Sequence, residues 1–262
     1  MSTAIISDVH GNAAALRAVL DDIDTHPEVD RIVCLGDIIG YGPDPIECVS
    51  LVEQRCTWSL MGNHDFGVLY EPTNFNQAAE QAAYWTREQF DAITDPAEQR
   101  RIYDFLNRLR VRIVETANGL ASGKPLLAVH GSPRKPVNEY IFPDDALNAP
   151  DKLRALFDLV EGVCFVGHTH VPGVFTDEPD FYPPDEVGEN QTYRFSDDER
   201  AIINVGSVGQ PRDGDPRASY VILDEDSVRF HRVEYDVQAT AGKIRSIAPL
   251  TDWLADRLLE GR

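Results

Sequence analysis

Four short apolar runs of this chain stop abruptly at glycine, aspartate or histidine, and this pattern limits the possible folds more than any other feature. The runs cover residues 4–6, 32–35, 126–129 and 163–166. Short aliphatic and β-branched runs that end in this way are typical of buried strands. Because an open α/β sheet binds ligands in the crevice at the carboxyl ends of its strands, we expect the polar residues after these runs to meet at one edge.

Five of the seven histidines belong to short motifs that contain aspartate, asparagine or glycine. The motifs are Asp8-x-His10, Gly36-Asp37, Gly62-Asn63-His64-Asp65, His130-Gly131 and Gly167-His168-x-His170. One such motif alone is usually incidental, and a lone histidine after a strand is commonly a packed core residue. Their conjunction indicates a metal site. Residues two apart on an extended segment share a face, so we expect the paired ligands at 8 and 10, and at 168 and 170, to converge.

The motifs contain enough ligands for two metal ions. The predicted ligands are Asp8, His10, Asp37, Asn63, His130, His168 and His170. A binuclear site needs about four protein ligands per ion, and this set provides them if the Asp37 carboxylate bridges the two ions. Carboxylate, amide and imidazole ligands without thiolate favour divalent manganese, with iron, zinc, nickel or magnesium as the alternatives.

The order of these motifs resembles that of the calcineurin-like metallophosphoesterase family. Residues 40–45, 130–134 and 207–217 look like its small prokaryotic, diadenosine tetraphosphatase-like branch. Residues 204–212 are similar to a later loop of the same family. The resemblance implies an α/β fold in which a two-sheet β-sandwich is flanked by helices. It also implies that one metal ion is held by Asp8, His10, Asp37 and His170, and the other by Asp37, Asn63, His130 and His168.

The expected chemistry is metal-dependent hydrolysis of a phosphoester. A hydroxide held between two dications has a depressed pKa and can attack phosphorus in line. We assign His64 as the general acid for the departing oxygen. Asp65 is expected to orient the His64 ring and to favour its protonated form, because a carboxylate partner raises the pKa of an imidazole.

Three further residues are candidates for contact with the substrate phosphate. Asn12 precedes a helical pattern, where it could cap the helix, contact an anion at the helix amino terminus, or do both. Arg134 and Arg212 could each supply a forked donor for phosphate oxygens, or could pair with the abundant acidic side chains. Tyr41 could stack on a base or pack against the proline-rich turn.

Two histidines, His26 and His231, lie outside every motif and are interpreted as ordinary surface or packing residues.

The order of predicted elements begins with alternating units: strand 3–7, helix 12–24, strand 31–36, helix 43–54, strand 56–61 and a helical stretch over 76–109. A strand pair around 111–130, a helix near 144–159 and a strand at 163–167 follow. Strands near 173–176, 192–196, 200–205, 218–224 and 227–235 predict a largely antiparallel second sheet, and residues 237–260 predict two short helices.

Composition limits the possible partners. A chain of 262 residues, 42% of them hydrophobic, is long enough for one domain over 1–262. The first strand begins within about three residues of the start and no apolar run is long enough for a membrane span, so a cytoplasmic enzyme is expected. The net charge of −20 opposes binding to duplex nucleic acid or an acidic membrane. The expected partner is a small phosphorylated substrate, and no oligomeric state is predicted.

Three functional hypotheses remain open at the level of sequence. The first is a phosphoesterase that acts on a monoester, a diester or a dinucleoside polyphosphate. The second is a protein serine/threonine phosphatase, although Asp65 stands where that branch typically has glutamate. The third is a non-catalytic scaffold on the same fold, which is disfavoured because such scaffolds lose ligands and none is missing here.

Overall fold

Strands and helices follow the predicted order closely in the computed structural model, which describes residues 2–115, 123, 125–196 and 199–262. The strands are β1 (Ser2–Ile6), β2 (Val29–Cys34), β3 (Cys56–Ser59), β4 (Arg112–Glu115), β5 (Leu126–Val129), β6 (Val163–Val166), β7 (Gly173–Thr176), β8 (Asp180–Tyr182), β9 (Thr192–Arg194), β10 (Ala201–Asn204), β11 (Ala218–Leu223) and β12 (Ser227–Val233). The α-helices are α1 (Ala13–Ile23), α2 (Pro45–Arg55), α3 (Asn63–Leu69), α4 (Gln77–Asp91), α5 (Pro96–Asn107), α6 (Asp145–Asn148), α7 (Pro150–Phe157), α8 (Val237–Ser246) and α9 (Asp252–Glu260).

The strands form two six-stranded sheets, with the orders β3-β2-β1-β11-β12-β9 and β4-β5-β6-β10-β7-β8. Three adjacent strands of the first sheet are parallel, namely β1, β2 and β3. In the second sheet β5, β6 and β10 are parallel. The remaining pairings are antiparallel.

The predicted fold class, a two-sheet sandwich flanked by helices, is confirmed. The second sheet, predicted to be largely antiparallel, is mixed: three of its pairings are antiparallel, whereas β6 pairs in parallel with β5 and with β10. The first sheet is mixed because the hairpin of β11 and β12 pairs with β1. Two short elements, β8 and α3, were not predicted. The strand pair expected over 111–130 is formed by β4 and β5, and residues 116–122 and 124 between them lie outside the described part of the chain.

Alternation along β1 shows how the layers are built. Ile5 points into the core between the two sheets, where it joins Val33, Phe165 and Ile203. Its neighbours on the strand point the other way, against α1 and α2 on the outer face of the first sheet. Successive side chains of a strand point to opposite faces, so a strand covered on both faces, as β1 is over Ala4–Ile6, has apolar side chains at consecutive positions. Helices α6 and α7 cover the second sheet in the same way.

The six parallel strands place their carboxyl ends at one edge of the sandwich. Motif residues follow β1, β2, β3, β5 and β6, and the loop at 205–212 follows β10. The sheet architecture therefore brings segments far apart in sequence to one crevice, as expected for α/β sheets. Within the described residues, every helix is too short or too polar to cross a membrane.

Candidate metal centre

The first group of predicted ligands lies at the ends of β1 and β6. Nε2 of His170 is 3.1 Å from Oδ1 of Asp8 and 3.0 Å from Nε2 of His10. The Asp37 carboxylate completes this group, because its Oδ2 is 3.7 Å from Nε2 of His10. Ligand atoms of Asp8, His10 and His170 all lie within 4.8 Å of one another, close enough to hold one cation, and Asp37 forms a further set of this kind with His10 and His64.

The second group shares the same carboxylate. Oδ2 of Asp37 is 3.3 Å from Nε2 of His130. That nitrogen also lies 3.2 Å from Nδ1 of His168 and 3.2 Å from Oδ1 of Asn63. The structure thus brings all seven predicted ligands together in two groups, and Asp37 is the residue common to both.

The local backbone of the ligands differs from the prediction. We expected the pairs at 8 and 10 and at 168 and 170 to lie on extended segments, but β1 ends at Ile6 and β6 at Val166. Asp8, His10, His168 and His170 all have φ between 49° and 67°, and Asp37 has φ of 51°. Each pair still converges, because two left-handed residues in alternation turn the chain so that both side chains face the centre. Positive φ is uncommon outside glycine and is concentrated at functional sites.

Two glycines allow the carboxylates to enter the centre. A Cβ atom on Gly62 would lie 2.0 Å from Oδ1 of Asp37, and one on Gly167 would lie 2.3 Å from Oδ2 of Asp8. Both glycines belong to the motifs that indicated the site. These glycines therefore allow a neighbouring carboxylate to lie close to the backbone, which any side chain at the same position would prevent.

The hydrogen bonds of the histidine rings favour a bound cation over direct contact between two ring nitrogens. Nδ1 of His10, His130 and His170 faces the carbonyl oxygen of Ile39, Leu35 and Gln210, respectively, at 2.6 to 3.3 Å. Each Nδ1 must carry a proton to donate to a carbonyl, so Nε2 of a neutral ring has a free lone pair. His10 and His170 are neutral near pH 7, because burial lowers the pKa of both. His10 and His170 thus point two lone pairs at each other across 3.0 Å. Metal-bound histidines commonly donate their other N–H to a backbone carbonyl in this way.

The charges of the centre also favour a cation. Both carboxylates are almost completely buried. Burial raises the pKa of Asp8 and Asp37, but the surrounding imidazoles more than offset this and hold both values below the usual range. For His130, burial lowers the pKa, yet Asp37 and Asp8 raise it to about 9. Two ionised carboxylates in a buried site therefore attract positive charge to the space between the ligands.

His64 lies beside the shared carboxylate, but its predicted pairing with Asp65 was wrong. The Asp65 carboxylate accepts hydrogen bonds from the backbone N–H groups of Ile38, Ile39 and Gly62. Both of its oxygens are therefore bonded to the backbone and not to the His64 ring. The ring of His64 instead packs between Tyr41, at 4.3 Å, and Phe75, at 4.6 Å. Burial lowers the pKa of His64 to about 4. Asp65 therefore positions the loops around Asp37.

The candidates for phosphate contact occupy different environments. Asn12 caps α1, because its Oδ1 accepts the N–H of Ala15, while its Nδ2 donates to the carbonyl of Gly209 and to Tyr235. Its polar atoms all have protein partners and it is 1% exposed, so the capping alternative is the one the structure shows. Arg134 forms an ion pair with Glu139 at 2.5 Å.

Arg212 remains available at the edge of the centre. Its Nη2 donates to the amide oxygen of Gln210 at 2.8 Å. Its guanidinium lies over the Tyr41 ring at 5.9 Å and contributes, after burial, to the lowered pKa of His170. Tyr41 itself packs against His10, so packing is the alternative that the structure shows for this ring.

Sequence reasoning missed two groups at the mouth of the centre. Arg257, on α9, lies close enough to Tyr41 and Arg212 for burial and the Arg212 charge to lower its pKa to about 10. The Tyr140 ring stacks on His168 at 3.8 Å with an interplanar angle of 18°. Neither residue is part of a motif, and the sequence contains no signal that would have placed them here.

A cleft of about 210 Å³ opens beside His168 and Asn63. Besides these two residues, its walls are formed by Phe66, Glu71, Thr73, Asn74, Phe75, Val137, Asn138 and Tyr140. Phe66 and Tyr140 are 42% and 40% exposed, which is high for aromatic side chains. The cleft therefore offers planar apolar surface and amide groups next to the second group of ligands.

The fold and the site define a metal-dependent phosphoesterase, and comparison with known proteins identifies the family. The model of the calcineurin-like phosphoesterase superfamily domain matches residues 1–228, so the chain belongs to this family. A metallophosphoesterase from Sphaerobacter thermophilus has a crystal structure with a TM-score of 0.79 and 38% identity, over 100% of this chain and 99% of that one. The protein is accordingly a phosphoester hydrolase.

Two proteins related in sequence match this chain over very different lengths, and the structure of a third protein matches its fold. An uncharacterized protein of Methanocaldococcus jannaschii is 38% identical over 99% of this chain and 98% of its own length. The symmetrical bis(5'-nucleosyl)-tetraphosphatase of Erwinia tasmaniensis is 30% identical over 42% of this chain and 38% of its own length. A protein from Pyrococcus horikoshii, 18% identical with a TM-score of 0.74 over 100% of this chain and 98% of that one, shares the fold.

Proposed function

We propose that this enzyme hydrolyses a small phosphoester at a centre of two divalent cations, with manganese as the expected metal. The observation that carries the proposal is the arrangement of seven ligands in two groups that share the Asp37 carboxylate. Asp8, His10, Asp37 and His170 would hold one cation, and Asp37, Asn63, His130 and His168 the other. When bound, two such cations lower the pKa of a water and withdraw charge from phosphate oxygens.

His64 is proposed as the proton donor to the departing oxygen. Because burial lowers its pKa to about 4, the ring is expected to take up this proton when the negatively charged phosphate binds. Its backbone N–H donates to Oδ1 of Asp37 at 2.7 Å, so its position is coupled to the shared carboxylate. Its Nδ1 is buried without a hydrogen-bond partner among the described residues. The flanking rings of Tyr41 and Phe75 restrict the imidazole to one orientation, which is what a positioned acid requires.

Arg212 and Arg257 are proposed to bind phosphate oxygens. In an acidic chain most basic side chains find a carboxylate, yet Arg212 bonds the amide oxygen of Gln210. Arg257 lies close enough to Arg212 for the two charges to interact. Two neighbouring guanidiniums repel each other, and an anion between them would offset that repulsion. Arg134 is a weaker candidate because Glu139 already occupies its donors.

The cleft lined by Phe66 and Tyr140 is proposed to hold the organic group of the substrate. Aromatic walls suit a planar ring, and the side chains of Asn74 and Asn138 offer donors and acceptors for its edge. Together with the two arginines, whose charges act on Tyr140 or are influenced by it, this arrangement favours a nucleotide ester. The relatives named as symmetrical bis(5'-nucleosyl)-tetraphosphatases support a dinucleoside polyphosphate within this class.

A substrate screen tests the proposal. Protein stripped with EDTA and resupplied with manganese would be offered p-nitrophenyl phosphate, bis(p-nitrophenyl) phosphate, diadenosine tetraphosphate and a phosphoserine peptide. We expect manganese-dependent hydrolysis of small esters, with the highest kcat/KM for the nucleotide. Turnover of the peptide alone would support the protein phosphatase hypothesis, and activity that survives chelation would overturn the metal-dependent mechanism.

Three variants separate the parts of the mechanism. Asp37→Asn is expected to lower the occupancy of both cations, measured by mass spectrometry, whereas Asp8→Asn should lower one only. His64→Ala should reduce hydrolysis of an alkyl ester by about 10²- to 10⁴-fold with metal content unchanged, and should reduce that of a p-nitrophenyl ester less, because its leaving group needs less protonation. Equal loss on both esters would rule out His64 as the acid.

A further inference from the structure

A second set of possible metal ligands lies away from the catalytic centre. Asp22 is in the last turn of α1, His26 is in the turn that follows, and His231 is on β12. One ligand atom from each lies within 4.8 Å of the other two. The two imidazole rings meet edge to face, with centroids 4.9 Å apart. These are the two histidines that the sequence motifs left unexplained.

One buried tyrosine positions two of the three side chains. The hydroxyl of Tyr220 donates to Oδ2 of Asp22 at 2.7 Å. Its ring stacks on His231, with a centroid distance of 4.8 Å and an interplanar angle of 23°. Tyr220 is completely buried, so its position is fixed by the core. Partners of this kind orient the ligands of metal sites and raise their affinity.

The donor atoms are available to an added ligand. Nε2 of His231 is buried and has no hydrogen-bond partner among the described residues. Burial lowers the pKa of His231 to about 4, so the ring is neutral near pH 7. Nε2 of His26 is 4.0 Å from Oδ2 of Asp22, and its Nδ1 is 3.4 Å from Oε1 of Glu28. The Asp22 and Glu28 carboxylates thus lie near the His26 ring. Among the described residues, none forms a hydrogen bond with Nε2 of His231.

We propose that Asp22, His26 and His231 bind one divalent transition-metal cation, such as Zn²⁺ or Ni²⁺, and thereby tie the end of α1 to β12. Two imidazoles and a carboxylate are the donor set that these cations prefer. A cation at the carboxyl end of a helix is also favoured by the helix dipole. The catalytic centre lies at the other end of α1, roughly 16 Å away along the helix axis for 11 residues at about 1.5 Å per residue.

Zinc binding to matched variants tests the proposal. Asp22→Asn and Asp21→Asn remove the same charge from adjacent positions of α1, but the Asp21 side chain is exposed and outside the cluster. After equilibrium dialysis against Zn²⁺, we expect wild type and Asp21→Asn to bind one more zinc per chain than Asp22→Asn and His231→Gln. Zn²⁺ should also raise the Tm of the first pair more than that of the second.

The comparison between variants makes the result independent of the catalytic centre. Each count is a difference from wild type, and manganese-dependent hydrolysis should be unchanged in Asp22→Asn. Tyr220→Phe should weaken zinc binding by about 10- to 100-fold. If His231→Gln is unstable, His26→Asn, in the partly exposed turn, should show the same loss of one zinc. Equal zinc counts in all these proteins would overturn the proposal.

Discussion

Five of the seven proposed ligands have a left-handed backbone, a conformation that costs roughly 1–2 kcal/mol per residue. Such strain persists only where the surrounding structure holds it in place. Here the support comes from the close passage of neighbouring loops. The N–H of Asp8 donates to the carbonyl of Gly36, and that of His10 donates to the carbonyl of Asp37. Two strained loops therefore fix each other, and a change in one should displace the ligands of the other.

Gly62→Ala should displace the shared carboxylate without unfolding the protein. The new Cβ would lie 2.0 Å from Oδ1 of Asp37, so the carboxylate has to move. Because a misplacement of about 1 Å can reduce turnover roughly 100-fold, we expect a loss of that order in kcat/KM together with a lower metal content. Both are measured on manganese-loaded protein, and a circular dichroism spectrum checks the fold.

Gly242→Ala is the matched control for this substitution. Gly242 lies inside α8, and a Cβ there meets no atom within 4 Å. Alanine in a helix should stabilise the protein by about 0.5–1 kcal/mol and leave kcat/KM unchanged. If Gly62→Ala behaved like Gly242→Ala, the close approach of the Asp37 carboxylate would have no role in the centre.

At the scale of the element, Asn12 connects α1 to three other parts of the chain. Its Oδ1 caps the helix and accepts from the Thr240 hydroxyl of α8, while its Nδ2 donates to the Gly209 carbonyl and to Tyr235. The amino terminus of α1 is thereby attached to the loop after β10. The helix that begins directly behind His10 is thus held by polar contacts as well as by its apolar face.

Asn12→Ala should cost more stability than the loss of an ordinary cap. Removal of a cap costs about 1 kcal/mol, and a buried polar group left without its partner adds about 1–3 kcal/mol, so we expect a total of about 2–4 kcal/mol. Asn76→Ala, at the exposed cap of α4 with its single bond to Ala79, should cost about 1 kcal/mol. Urea denaturation measures both free energies of unfolding, and equal values would show that the other contacts of Asn12 contribute nothing.

Elements with a strong local pattern were predictable from the sequence, and the exceptions have physical causes. The buried strands β1, β2 and β6 were found because their apolar runs end at motifs. Helix α3 was missed because it has seven residues, includes Gly67, and begins inside the motif Gly62-Asn63-His64-Asp65. Its first turn is held by the Asp65 carboxylate, which accepts the N–H of Gly62.

The same distinction applies to the centre. The ligand residues belong to short sequence motifs, so all seven could be predicted from the sequence. The structure places these seven side chains close together. The contributions of Arg257 and Tyr140 depend on how α9 and the loop after Gly131 pack against the centre. No local pattern reports such long-range contacts. The pairing of His64 with Asp65 was predicted wrongly for a related reason, since adjacency in sequence does not make two side chains of one helix turn face each other.

At the scale of the whole molecule, charge is the dominant feature. The chain has 44 acidic and 24 basic residues and a net charge of −20, so 20 acidic side chains would remain unbalanced even if every base were paired. Many bases are indeed paired at the surface, for example Arg17 with Glu47 and Arg55 with Asp24. Exposed pairs of this kind contribute only about 0–1 kcal/mol each, and salt weakens them. Repulsion among the unbalanced acids opposes the compact state, and salt weakens that repulsion too.

Salt weakens both the repulsion among the unbalanced acids and the attraction within the surface ion pairs. Because we expect the repulsion to be the larger of the two effects, the Tm should rise with NaCl concentration. The Debye length falls from about 30 Å at 0.01 M to about 3 Å at 1 M, so most of the rise should occur over this range. Each kcal/mol of relieved repulsion should raise the Tm by roughly 2–4 °C, as measured by calorimetry on metal-free protein. Glu186→Gln with Glu189→Gln, in an exposed acidic segment, should reduce the slope. A Tm that falls with salt would mean that ion pairs, rather than net charge, dominate the stability.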